Sequence, residues 1–395
     1  MVKYDGWSGR VQRRGMLKAL AALGLGPFAG CGNGRGTLPT GAKVAVLGAG
    51  AGGLSAGYML AQRGVDFEIF EASSTYGGRM KRTTEFVDFP IPLGAEWLHE
   101  APNELARIVN DDAIDVTTAL QAYASSDLAG FYNGQLLVGA AGGVPDLKFV
   151  GATWFDFFDT YIVPSVLPRI RFDTPIVEVD YTGEPIVLSD ASGGTYEADA
   201  VIVSVPLQVL RRRDLRFSPE LPADKVDAIQ NARLWGGLKV FTEFREAFYP
   251  TFLSFAGRDS PDGQHLYYDA AYGQATDAHV LGLFTVGDQS ERYRGTADQT
   301  RAVVLAELDE VFDGAATPNY VQHIVQDWNA EPFIGQAYLA DSASSSTPNR
   351  LFAPVEERVF FAGDAYTQHG DWSAVDDAAR AARDVVDRLT GSTTG

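Results

Sequence analysis

Cysteine is almost absent. Cys31 is the only one in 395 residues, so no internal disulfide and no multi-cysteine metal site can form. Histidine is scarce too, and five scattered copies make no zinc motif. Basic charge is in deficit: 32 lysines and arginines stand against 51 acidic residues, a net charge of −19, which argues against electrostatic capture of nucleic acid. No apolar run reaches the ~20 residues that a membrane-spanning helix needs. What remains is an ordinary globular composition, 46% hydrophobic and 21% charged, which excludes disorder for most of the chain. The length predicts two or three domains. The 42 glycines point to tight turns and backbone-lined ligand sites.

The N-terminus differs from the rest. Residues 1–30 carry Lys3, Arg10, Arg13, Arg14 and Lys18 against Asp5 alone. The apolar stretch Met16 to Phe28 follows, and then the small residues Ala29 and Gly30. A positive segment, a short apolar segment and small residues make an export signal. Arg13-Arg14 resembles the twin-arginine (Tat) signal, and Ala29-Gly30-Cys31 resembles a lipoprotein processing site with Cys31 as the lipidated residue. The expectation is export by a Tat-like route, to the periplasm or to a membrane-anchored lipoprotein. Residues 31–39 read as a flexible linker.

Lys43 to Gly53 reads KVAVLGAGAGG. Val44 to Leu47 suits a buried parallel strand. Gly48, Gly50 and Gly53 then form G-x-G-x-x-G, and Leu54 to Arg63 continues at helical period until Gly64. Val65 to Phe70 is a second strand, ending at Glu71, 18 residues after Gly53. The glycines permit a tight turn, close approach of a pyrophosphate, and close helix–strand packing. The helix N-terminus offers free N–H groups to phosphate, and Glu71 can accept from the ribose hydroxyls.

Gly77-Gly78-Arg79 follows Glu71, and two glycines let the arginine backbone and guanidinium reach a pyrophosphate. The Glu71-then-GGR arrangement resembles the flavin-containing amine oxidase family, which includes monoamine and polyamine oxidases. The resemblance runs over roughly residues 42–390. It implies FAD as the cofactor. A second dinucleotide fingerprint is not evident, so no separate NAD(P)H site is expected.

The resemblance implies further site residues. Gly94, Ala95, Glu96 and Trp97 match the segment beside the flavin ring, and Ile176 matches the strand whose backbone pairs with adenine. Gly363 and Asp364 match the ribityl–pyrophosphate region, and the helix expected from Ser373 to Leu389 would point its N-terminus at the flavin pyrimidine. Lys239 matches the lysine that holds a water near flavin N5. Read from the residues alone, a lysine among the apolar residues of this strand is odd, and the plain alternative is a lysine snorkelling from a strand edge. Tyr338 and Trp372 match the two walls of an aromatic cage, or are ordinary core residues. The residue matching Ala337 is cysteine in monoamine oxidases and bonds to the flavin; alanine cannot, so non-covalent FAD is expected. Glu96, His99 and Tyr161 are further candidates for the substrate pocket. No metal is expected.

The fold class implied is α/β: a Rossmann-like FAD-binding domain of the GR2 type with a parallel sheet, interleaved with a mixed-sheet α+β substrate domain. The segments expected are 40–110, 168–225 and 335–393 for the first domain, and 111–167 and 226–334 for the second. The implied activity is oxidation of a small-molecule amine or amino acid at its C–N bond to an imine, by hydride transfer to flavin N5, with oxygen taking the electrons to give peroxide. Three alternatives stay open: a periplasmic dehydrogenase with another carrier as acceptor, a desaturase or isomerase acting on a non-amine, and a non-catalytic exported flavoprotein.

Overall fold

Alternation along a five-residue strand sets the architecture. In Lys43–Leu47, Val44 and Val46 enter one hydrophobic core while Ala45 and Leu47 enter another. A strand apolar on both faces must be covered on both faces. In the computed structural model, which describes residues 38–123, 128–138, 147–255, 262–340, 346–368 and 373–391, this strand is the centre of a five-stranded sheet. The order is Ile170–Arg171, Asp66–Phe70, Lys43–Leu47, Ala200–Val203, Val359–Phe361, and every pairing is parallel.

Helix Ala51–Gln62 and the C-terminal helix Val375–Thr390 pack on each other over the first face. A four-stranded sheet, ordered Thr195–Ala198, Ile186–Asp190, Ile176–Asp180, Arg216–Ser218, shares the core of the second face. The glycine-loop helix begins at Ala51, earlier than the apolar periodicity from Leu54 suggests, because the glycines themselves form its first turn. The C-terminal helix begins two residues after Ser373.

A seven-stranded mixed sheet forms the second body. Its order is Tyr320–Asp327, Gly237–Phe244, His279–Gly287, Gly263–Asp269, Phe252–Phe255, Leu128–Tyr132, Gln135–Val138. Only the Phe252–Phe255 and Leu128–Tyr132 pair runs parallel within it. Helix Ala297–Val311 covers one face, started by a capping box between Thr296 and Gln299. Along Gly237–Phe244, Leu238, Val240 and Phe244 pack toward that helix. Lys239 and Phe241 therefore point to the opposite face, where a large cavity lies.

Two stretches pack away from their neighbours in sequence. Residues 154–166 fall in the stretch expected in the second domain, yet Trp154, Phe157, Phe158, Ile162 and Val166 lie in the core of the parallel sheet. Conversely Phe89, Ile91 and Leu93 pack with Phe241 and Tyr268 of the second sheet. The N-terminal signal and Cys31 lie outside the described residues.

Candidate active site

A cavity of about 770 Å³ runs from the glycine loop to the open face of the seven-stranded sheet. At the loop, Gly48 sits at φ +100°, a conformation that favours glycine. A Cβ added to Gly53 would lie 1.9 Å from the Gly48 carbonyl oxygen, so helix and strand can pack this closely only without it. A Cβ added to Gly50 would meet no protein atom within 4 Å. Gly50 lines the cavity, so the room above it is room for a ligand. No side chain caps the helix that follows, and its N-terminus faces the same space.

Glu71 is held by three donors: Ala49 N at 2.7 Å, Ser73 N at 2.9 Å and Ser73 Oγ at 2.7 Å. Gly77 N donates to Ala49 O at 2.9 Å and ties the GGR turn to the glycine loop. Gly78 also lines the cavity. Arg79 does not extend alone toward a phosphate. Its guanidinium grips Asp364 at 2.8 and 2.5 Å and also donates to the Ala337 carbonyl. Asp364 reaches it from the turn after Val359–Phe361, where Gly363 holds φ +153°. The Arg79 guanidinium thus joins three distant segments at the cavity wall, by a bidentate pair to Asp364 and a further bond to the Ala337 carbonyl.

Ile176 lines the cavity at the far end, with Thr174, Pro175 and Val177. The ladder of its strand skips Val177 between Ile176 and Glu178, an irregularity of the kind that re-aims a strand beside a site. These parts fit a dinucleotide: a glycine cradle, an anchored acid at the ribose distance in sequence, and an apolar slot.

Nearer the second sheet, Ala95 N donates to Arg79 O at 2.9 Å. A Cβ on Gly94 would lie 1.8 Å from that same oxygen, so only glycine lets the segment pass so close. Lys239 is 3% exposed and its Nζ donates to Pro92 O at 3.0 Å, Gly94 O at 3.0 Å and Glu96 Oε2 at 2.7 Å. Each ammonium proton therefore has a protein acceptor, and a water beside Lys239 would compete with one of them. Trp97 packs edge-on against Tyr268 and Phe284, with centroids at 5.0 and 5.8 Å. Tyr338 lines the cavity and meets Trp235 edge-on at 5.7 Å; burial pushes its hydroxyl well above the ordinary tyrosine range. Ala337, beside it, has only a methyl group to offer a flavin.

Ser373 lines the cavity and donates to Leu339 O at 3.2 Å. His99 is on the wall as well, whereas Tyr161 is not; its hydroxyl accepts from Thr117 N at 3.1 Å. Trp372 lies outside the described residues. Phe252, Gln264, Leu266 and Phe284 complete the sheet end of the cavity. The sequence carries no motif for these four; they share a face only because of strand register. Among the described residues, no cluster of three or more His, Cys, Asp or Glu could hold a metal ion.

The first turn of the C-terminal helix carries Asp376 and Asp377, both buried. Arg380 answers them at 3.2 and 3.5 Å, and Glu104 at 3.0 Å. Burial first, and then the neighbouring Asp376 charge, push the Asp377 carboxyl up to about 8. A carboxyl raised in the folded state contributes stability that is full below its unfolded value of 3.8 and is lost as pH rises through about 8. Urea denaturation is therefore expected to show lower stability at pH 9 than at pH 6, by about 1–3 kcal/mol. Asp377→Asn should flatten that slope; an unchanged slope would assign it to other groups.

Residues 165–390 match the family model for flavin containing amine oxidoreductase, and residues 46–111 match that for an NAD(P)-binding Rossmann-like domain. The chain is 24% identical to a protein described as probable polyamine oxidase 4 of Arabidopsis thaliana, over 84% of each chain. It is 24% identical to polyamine oxidase 3 of Oryza sativa subsp. japonica, covering 83% of this chain and 86% of the other. Among solved structures, a triple mutant of putrescine oxidase from a cofactor-binding redesign has the same fold, with a TM-score of 0.74 at 14% identity, covering 89% of this chain and 99% of that one. With the family match spanning more than half of the chain, and the glycine cradle, Glu71 and the Arg79–Asp364 clasp in one cavity, the chain belongs to the flavin containing amine oxidoreductases and is an FAD-dependent oxidoreductase.

Proposed function

We propose that the protein oxidises a small-molecule amine or amino acid at its C–N bond, giving an imine that water then hydrolyses. The observation that carries this reading is one continuous cavity in which the dinucleotide cradle meets Lys239 and Tyr338. Bound FAD supplies a two-electron acceptor for the hydride lost from the carbon next to nitrogen, and oxygen is the proposed final acceptor, giving peroxide. The glycine loop, Glu71, Gly78, Arg79, Ile176, Gly363, Asp364 and Ser373 would hold the cofactor. Gly94, Ala95, Glu96, Trp97 and Lys239 would stand at the ring.

The walls have their own task. Trp97, Phe252, Leu266, Phe284 and Tyr338 make the sheet end largely apolar. A protonated amine entering such a space loses solvation, so the neutral form is favoured. That form carries the lone pair that drives loss of hydride. The polyamine oxidases and putrescine oxidase among its likenesses extend the proposal to diamines and polyamines as one substrate class to test.

Anaerobic titration of the purified holoprotein with a panel of amines and amino acids should bleach the flavin band for at least one member. Readmitting oxygen should restore the band and release one peroxide per flavin. Restoration only by an added carrier would make the protein a dehydrogenase. Bleaching by an apolar polyene and by no amine would overturn the amine reading.

The export reading remains part of the proposal. Tat transport carries folded cargo, and FAD has to be inserted in the cytoplasm, which suits a twin-arginine leader on a flavoprotein. Fusing residues 1–37 to a reporter that is active only after folded export tests it, with Arg13→Lys/Arg14→Lys as the blocked control.

A further inference from the structure

Lys239 is not alone where it meets the cavity. Its ammonium and the Glu96 carboxylate form an ion pair of 2.7 Å with side chains 3% and 2% exposed. We propose that Glu96 is the positioning residue that keeps Lys239 a charged ammonium and aims it, so that the lysine enters the site as half of a buried neutral pair. This rests on the reading of Lys239 as a residue beside the flavin ring.

The geometry is a tripod. Two carbonyl oxygens, of Pro92 and Gly94, and one carboxylate oxygen take the three ammonium protons. A neutral amine has only two protons, so it could not serve all three acceptors. Aromatic rings close the ammonium off from water, with Nζ 5.8, 5.2 and 5.4 Å from the ring centres of Trp97, Phe241 and Tyr268; their faces attract a cation weakly and carry no countercharge. Burial pulls the Lys239 ammonium below the usual lysine range, and Glu96 is the one group that raises it.

The other ionisable neighbours do not replace Glu96. Tyr268 donates to the same Oε2 at 2.7 Å, and burial together with Glu96 keeps its hydroxyl protonated. Tyr123 accepts from Trp97 Nε1 at 3.2 Å and is likewise pushed up by burial. Lys148 is a second buried cation, bonded to the Asp269 and Ala270 carbonyls and pulled down to about 8 by burial, and its charge disfavours that of Lys239. The Asp269 carboxyl is raised by burial, and the cation that favours its charge is Lys148. Take away the Glu96 charge and nothing equivalent faces Lys239.

The test is Glu96→Gln, which keeps the shape and removes the charge. It is read first without substrate, by NMR of the lysine ε-methylene groups in the FAD-bound protein, with the Lys239 signal assigned by its loss in Lys239→Met. The Lys239 midpoint should fall by at least one pH unit or so relative to wild type. Glu96→Asp should restore most of that fall. In a Lys148→Met background, flavin reduction by a reactive amine should acquire a new pH step in Glu96→Gln that vanishes in Glu96→Gln/Lys239→Met. If Glu96→Gln does not fold, recovery of folding in the double variant carries the same conclusion, because an unpaired buried ammonium is then the cause. An unmoved Lys239 midpoint, a step that persists without Lys239, or a double variant that stays unfolded would overturn the proposal. Failure of every amine to bleach the flavin would touch the functional reading and leave the NMR result standing.

Discussion

Lys239→Met is expected to slow flavin reduction or reoxidation by about 100-fold, the scale on which removal of a preorganised polar group at a reaction centre is felt. FAD should stay bound, because Lys239 bonds to Pro92, Gly94 and Glu96 and to no part of the glycine cradle. The same substitution should also cost about 3–5 kcal/mol of stability, because it strands the Glu96 carboxylate in a buried site. Those two effects separate cleanly. Adding Glu96→Gln removes the stranded charge and should recover most of the stability, while the rate stays low. Rapid-mixing measurement of both half-reactions, with urea denaturation of the single and double variants, reads each effect. Unchanged rates in both half-reactions would remove Lys239 from the site.

The ends of this site were legible for different reasons. The glycine loop could be read because three glycines, a strand before and a helix after are all dictated by local backbone geometry. Lys239 stood out because it interrupts an apolar strand, and its neighbours in sequence show that it faces one side only. Glu96 stood out as well, but its pairing with Lys239 did not. Glu96 lies 143 residues away, and nothing in LGAEW says which cation it will meet. Arg79 and Asp364 are 285 residues apart; each reads as a phosphate-side residue alone, and only the fold shows that they grip each other. The same limit applies to whole elements. Position in the chain places residues 154–166 with the second domain; Trp154, Phe157 and Phe158 share one face of the helix Trp154–Tyr161, but a face does not name the core that receives it. Phe252, Gln264, Leu266 and Phe284 became cavity residues through strand register, which depends on pairings between strands distant in the chain.

Two alanines in the glycine loop should fail in opposite ways. In Gly53→Ala the new Cβ would stand 1.9 Å from the Gly48 carbonyl oxygen, 3.0 Å from the Gly48 carbonyl carbon and 3.3 Å from Val46 Cγ1. Two of these are backbone atoms, which cannot rotate away as a side-chain tip can. The helix must lift from the strand or the turn must open, and Gly48, already at φ +100°, has little freedom to follow. The expected loss is about 3 kcal/mol or more, seen as a lower melting temperature of the FAD-free protein. Gly50→Ala meets nothing within 4 Å, and its φ of −80° suits alanine, so the FAD-free protein should melt within about 1–2 °C of wild type. Its methyl group would instead project into the room where a pyrophosphate approaches the helix N-terminus. Flavin content, read as flavin absorbance against protein absorbance, should therefore fall sharply in Gly50→Ala without loss of fold. Normal flavin content in that variant would mean that the open space above Gly50 is not where the cofactor phosphates sit. The contrast matters because loss of flavin alone does not distinguish a broken scaffold from a blocked site, whereas a stable, colourless Gly50→Ala beside an unstable Gly53→Ala assigns one glycine to the ligand and the other to the fold.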